Sequence, residues 1–143
     1  MNLSRFKVNT PLGGCADVFP FVIGTCIWPS ADEWRGKILF IETSEEDIKE
    51  IQLAWILRNL VAQGIIDVIN GIVVGKPARR TKYESYKEVY KRIIGVEAGR
   101  PDLPILYNVN IGHAKPIAII PYGVMCELDL DNRSFTLLES ATN

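Results

Sequence analysis

The chain has 143 residues, 48% of them hydrophobic, and a formal net charge of -1. That suffices for one ordinary domain whose core needs no disulfide or metal staple. Balanced charge offers no basic face for nucleic acid and no polybasic run for an anionic membrane, and the longest apolar stretches fall far short of the ~20 residues that span a bilayer.

The opening stretch MNLSRFKVNT has no apolar signal core and no small-residue cleavage pattern, so a cytoplasmic location is expected. Cys15, Cys26 and Cys126 stand at unrelated spacings without a C-x-x-C pair. They point to reduced, mostly buried thiols rather than a disulfide framework or zinc knuckle. Asn132-Arg133-Ser134 matches a glycosylation acceptor, a match expected to carry no meaning without secretion.

From Leu12 to Thr25 a Gly-Gly turn leads into an apolar run, read as a short helix, despite Pro20, that ends near Gly24. KILFI, before Glu42, is a strand by its length and β-branched content. TSEEDIKEIQLAWILRNLVAQG is a helix capped by Thr43 or Ser44, with Glu46 completing a capping box. Ile48, Ile51, Leu53, Ile56, Leu57 and Leu60 form its apolar face and Gly64 terminates it. GIVVGK (71–76) is a buried strand, and TKYESYKEVYKRIIG a second helix with Thr81 and Glu84 as its box. PILYNVNIGH is a strand that leads to a Gly-His corner. In residues 115–140 β-runs follow one another directly across Pro-Tyr-Gly and Asp-Asn-Arg-Ser breaks, which predicts an antiparallel meander. Strand–helix alternation followed by hairpins makes the chain mixed, an α/β or α+β domain in β/β/α layers with helices packed on a mixed sheet.

Several motifs fail. GIVVGKP is one residue short of a phosphate loop and has proline where Ser or Thr would hold magnesium. No H-E-x-x-H occurs and there is one histidine, so no metal and no cofactor is expected. No serine sits in a G-x-S-x-G elbow. Glu42 and His113 remain. Each follows an apolar strand, where helix-flanked sheets collect functional side chains. A carboxylate can fix an imidazole's tautomer, and the imidazole can then serve a hydroxyl nucleophile as general base. Plainer roles stay open: Glu42 as a charge in a helix's first turn, His113 as a turn residue. Glu45 and Glu46 read as helix-start charges.

The ordered set LGGC, GT, WP, RGKILFIETSEE, GIVVGKP and PILYNVNIGHAKPIAIIPYG, from about Leu12 to Leu138, resembles the C-terminal domain of the LD-carboxypeptidase and microcin C self-immunity family of serine peptidases. The resemblance implies a swivelling β/β/α domain and a Ser-Glu-His triad in which Glu42 is the acidic member and His113 the base. It also implies that residues 1–143 are a single domain, the C-terminal half of a two-domain hydrolase. The nucleophilic serine belongs to an N-terminal domain that is missing here, so the chain alone is expected to be inactive. The partners implied are that domain, a second copy in a homodimer, and a peptide or peptidyl-nucleotide substrate, with no nucleic acid or membrane. ETSEE is closer to the immunity branch; the murein-recycling branch tends to carry an acidic pair followed by Gly-Glu. Lys76, at another strand end, is a candidate for a substrate carboxylate, with a plain surface lysine as the other reading. The competing functions are a murein tetrapeptide LD-carboxypeptidase half and a free-standing, non-catalytic binding module.

Overall fold

A computed structural model describes residues 6–142. Four parallel strands, β2 (Pro11–Cys15), β3 (Ile38–Glu42), β4 (Gly71–Gly75) and β5 (Ile105–Val109), lie side by side in chain order. A second sheet is antiparallel, with β1 (Phe6–Asn9) and β7 (Ser134–Leu137) flanking β6 (Cys126–Asp129). The mixed character expected from the sequence is thus divided between two sheets, each of one sense.

The parallel strands β3 and β4 are buried along their whole length because both faces are covered. Leu39, Ile41, Ile72 and Val74 face a core completed by Leu53, Leu57 and Leu60 of α3 (Glu50–Ala62) and by Ile93 and Ile94. Ile38, Phe40 and Val73 point the other way, onto Cys126 and Leu128 of β6. Period-2 alternation therefore builds the helix, parallel-sheet and antiparallel-sheet layers from two short strands. Leu57 is fully buried. Leu57→Ala is expected to cost about 2–5 kcal/mol in chemical denaturation, because it removes apolar contacts and leaves a cavity at the centre of the helix layer.

Several local expectations are corrected. Gly13 and Gly14 are no turn; they lie within β2, and a Cβ at Gly13 would strike the Phe40 carbonyl oxygen of the neighbouring strand. The bare backbone lets β2 and β3 approach. The short helix that follows is α1 (Phe19–Val22), with Pro20 in its first turn, where a missing N–H costs nothing. It precedes another short helix, α2 (Ala31–Trp34), in which Glu33 accepts the backbone N–H and hydroxyl of Ser30, both at 2.8 Å.

The helix after Glu42 does not start at Thr43 or Ser44. Asp17 accepts the Ser44 N–H at 2.6 Å and Ser44 Oγ accepts the Glu46 N–H at 3.2 Å, which holds this segment as a turn. α3 begins at Glu50, where Gln52 accepts the Lys49 N–H at 2.8 Å. Ile51, four residues before the exposed Trp55 on the same side of α3, is 45% exposed rather than part of the apolar face. After Gly64 comes the short α4 (Ile65–Val68).

Thr81 caps nothing: a 3₁₀ turn over Arg80–Lys82 feeds α5 (Tyr83–Tyr90), which continues as π-helix over Lys91–Glu97. The expected meander shrinks to the β6–β7 hairpin, and residues 116–125 form no strand.

Glu50 ties α3 to the start of α5 by accepting from Ser85 Oγ at 2.7 Å and Lys82 Nζ at 2.9 Å. The Ser85 hydroxyl, then Lys82, hold its carboxyl down to about 2, well below the usual carboxylate value. A depressed folded-state value means stability that is present above the unfolded value and lost as pH falls through the folded one. Glu50→Gln is therefore expected to lower Tm slightly at pH 7, and the difference should close between about pH 4.5 and about pH 2. A Tm gap unchanged at the acid end would refute the contribution.

Candidate active site

Parallel strands in one sheet all end on the same edge, and here that edge collects chemistry. Cys15 ends β2 and is the cross-strand partner of Glu42, which ends β3. Lys76 follows β4, and His113 follows β5 after Asn110, Ile111 and Gly112. Glu42 is 8% exposed, a carboxylate at the end of a fully buried strand.

What brings His113 to it is Gly112. Its φ of +89° is a conformation that L side chains rarely adopt, and a Cβ there would lie 2.8 Å from both Cβ and Cγ of Glu42 and against its Oε2. The β5 exit thus passes directly over the Glu42 side chain. His113 Nδ1–H donates to Glu42 Oε2 at 2.8 Å, because a carboxylate can only accept. Nε2 is left facing outward, with Glu45 Oε2 at 3.4 Å, and the imidazole side chain is 41% exposed.

The imidazole's pKa is raised, first by its hydrogen bond to Glu42, against the opposing effect of burial, and further by the charges of Glu42, Glu45 and Asp17. Cys15 lies beside the pair, and its thiol is pushed up to about 12, chiefly by burial. Its Sγ–H points to Asp17 Oδ2 at 3.6 Å. A thiol so held is protonated near neutrality and is no nucleophile. Among the described residues no serine or threonine hydroxyl hydrogen-bonds to His113, whose ring nitrogens face Glu42 and Glu45.

Lys76 and His113 line one cavity of about 850 Å³, together with Arg80, Tyr83, Asn108 and Lys115. Lys76 Nζ donates to Asn110 Oδ1 at 2.6 Å, on the loop that carries His113. A second, apolar cavity of about 410 Å³ runs from Cys15 along Leu12, Phe19, Trp28, Trp34 and Tyr122.

The sequence pairs Glu42 with His113 and offers Lys76, at another strand end, for a substrate carboxylate; the structure brings all three to one edge. Sequence reasoning missed Cys15, Asp17 and Glu45. Glu45 was read as a helix-start charge, yet α3 starts five residues later and Glu45 turns to His113. The available signal for Cys15 was its place at the end of an apolar segment, masked by reading Gly13-Gly14 as a turn.

A model of the LD-carboxypeptidase C-terminal domain matches residues 10–128. The chain belongs to that family. It is 29% identical to the microcin C7 self-immunity protein MccF of Escherichia coli over 94% of its own length and 41% of that protein's. It superposes with a TM-score of 0.82, at 34% identity, on an MccF-like protein from Streptococcus pneumoniae solved in complex with AMP, again covering 94% of this chain and 41% of the other. A muramoyltetrapeptide carboxypeptidase from Oxalobacter formigenes shares the fold at a TM-score of 0.64 and 20% identity, over 85% of this chain and 41% of that one. The chain thus spans about two fifths of the length of the relatives it matches.

In this LD-carboxypeptidase domain the geometry of the pair would allow proton transfer at Nε2. Glu42 holds the imidazole with its proton on Nδ1, which leaves Nε2 as the basic nitrogen on the open side. The same carboxylate stabilises the imidazolium formed once Nε2 takes a proton. Among the described residues no helix is long and apolar enough to cross a membrane.

Proposed function

We propose that this chain is the C-terminal domain of a two-domain serine hydrolase, in which His113 is the general base and Glu42 its orienting carboxylate. The nucleophilic serine and the oxyanion donors come from an N-terminal domain outside these 143 residues. The observation that carries the reading is the 2.8 Å Nδ1–Oε2 hydrogen bond, made at the open edge of the parallel sheet with Nε2 turned outward. The serine hydroxyl would give its proton to Nε2 as it attacks an amide carbonyl, and His113 would return that proton to the leaving amine. Base and orienter without a nucleophile do not catalyse acyl transfer, so the chain alone is inactive on this reading.

The substrate class we favour is a peptidyl- or aminoacyl-nucleotide. An MccF-like relative at 34% identity was solved with AMP, and the cavity beside His113 presents Lys76, Arg80 and Lys115 toward an anionic group. Lys76 is the side chain we assign to a substrate carboxylate or phosphate. A murein tetrapeptide is the second reading, supported by the family match itself. Ile117, Ile119 and Tyr122 expose 56%, 85% and 61% of their surfaces, and this strip is where we place the docking of the serine-bearing domain, with a second copy of the chain as the other occupant.

The test is to mix the purified chain with the serine-bearing domain of an MccF-like relative and assay an aminoacyl-nucleotide amide and an L,D-linked murein peptide. The expected result is hydrolysis of the nucleotide by the mixture only, lost in His113→Gln. Robust hydrolysis by the chain alone, whether or not Glu42→Ala abolishes it, would overturn the reading.

A further inference from the structure

One Cys, one Glu and one His meet at the sheet edge, from three separate segments of the chain. A ligand atom from each of Cys15, Glu42 and His113 lies within 4.8 Å of the other two. Zinc binds thiolate at about 2.3 Å and imidazole or carboxylate at about 2.0–2.2 Å, so neighbouring ligands in a tetrahedral site stand about 3.3–3.6 Å apart. Side-chain rotations of about 1 Å would bring this set to that geometry. Backbone placement already favours it, since Cys15 and Glu42 are cross-strand partners and Gly112 presses the His113 loop onto Glu42.

A second, independent observation is the local charge. Glu42 and Glu45 contact the imidazole, Asp17 contacts Cys15, and among the described residues no lysine or arginine pairs with any of the three. Asp17 Oδ1 is buried without a hydrogen-bond partner. Those three carboxylates have one imidazole among them, and Lys76 at the same edge is taken up by Asn110.

We infer that Cys15, Glu42 and His113 form a binding site for one thiophilic divalent cation of the zinc class. Binding replaces the Sγ–H bond by an Sγ–metal bond and releases that proton to solvent. The carboxylate and a neutral imidazole nitrogen supply the other two ligands, and the fourth position opens outward beside the exposed side of His113. Hard ions such as Mg²⁺ lack affinity for the thiolate and are not held. Binding does not depend on the proposed hydrolase chemistry. Its consequence does: an ion on Glu42 and His113 breaks their hydrogen bond and takes the base out of the relay, a metal-blocked state.

The test is a Co²⁺ titration of the reduced chain, monitored by absorption, followed by displacement with Zn²⁺. One equivalent is expected to give a thiolate-to-cobalt charge-transfer band that Zn²⁺ removes. Cys15→Ser should abolish the band, His113→Gln should weaken Zn²⁺ binding roughly tenfold or more, and Cys26→Ser should change neither. A band that persists in Cys15→Ser, or follows Cys26, overturns the site, as does the absence of saturable binding. Should Cys15→Ser fail to fold, alkylation of the wild-type chain decides: Zn²⁺ must slow modification of Cys15 and spare the exposed Cys26. Equal rates with and without the ion overturn the proposal. The hydrolase assignment stands or falls separately, on the hydrolysis assay.

Discussion

In the two-domain hydrolase we propose, Glu42→Gln is expected to lower kcat roughly ten-thousandfold while leaving KM within about twofold. Glu42 Oε2 accepts the Nδ1–H of His113 at 2.8 Å, and an amide in its place offers the ring a donor as readily as an acceptor. The imidazole can then rotate or settle with its proton on Nε2, where it cannot accept one from a nucleophile. The carboxylate also stabilises the imidazolium that forms only as the reaction proceeds, so its loss shows in kcat rather than in substrate binding. Steady-state kinetics on the wild-type and Glu42→Gln proteins checks this. A fall of less than about tenfold, or one confined to KM, would refute the orienting role.

Gly112→Ala is expected to destabilise the fold by about 1–3 kcal/mol and to separate His113 from Glu42. Two effects act together. The φ of +89° disfavours any residue with a Cβ, and that Cβ would stand 2.8 Å from Glu42 Cβ and Cγ. Glu42 is buried at a strand end and packed closely on Gly75, where an added Cβ would lie 2.5 Å from Glu42 Cβ. The His113 loop must therefore lift. His113 is the one histidine of the chain, so its imidazole nitrogen resonances report the change without assignment work. The expected spectrum loses the carboxylate-bound Nδ1–H signature while circular dichroism stays native. An unchanged imidazole spectrum would show that Gly112 is not what sets the pair.

The two predictions show how differently parts of this protein are written. ILFI and IVV announce strands buried on both faces, since uninterrupted β-branched and apolar residues fit a layer covered on each side. The apolar period of Leu53, Leu57 and Leu60 announces the main helix. An acidic residue at the end of ILFI, and a histidine after Gly112, stand out locally because they break apolar runs. Those features need only neighbours in sequence, so the sequence by itself determined the layered α/β character, the main elements and the two residues most worth pairing.

Other features depended on contacts between distant segments. Gly13-Gly14 has the composition of a turn, yet it is a strand because Phe40 of the next strand lies against it. Ser44 and Glu46 have the spacing of a helix cap, but Asp17, 27 residues away in the chain, takes the Ser44 N–H and postpones the helix to Glu50. Hydrogen-bond competition of this kind has no local sign. The division into two sheets was equally hidden, because β1 pairs with β6 across most of the chain.

The gathering of Cys15, Glu42, Glu45 and His113 was decided at the same level. Their spacings match no motif; what unites them is that parallel strands end on one edge and a glycine lets two of those ends touch. Local propensity chose the elements, and long-range backbone approach chose which side chains share a proton.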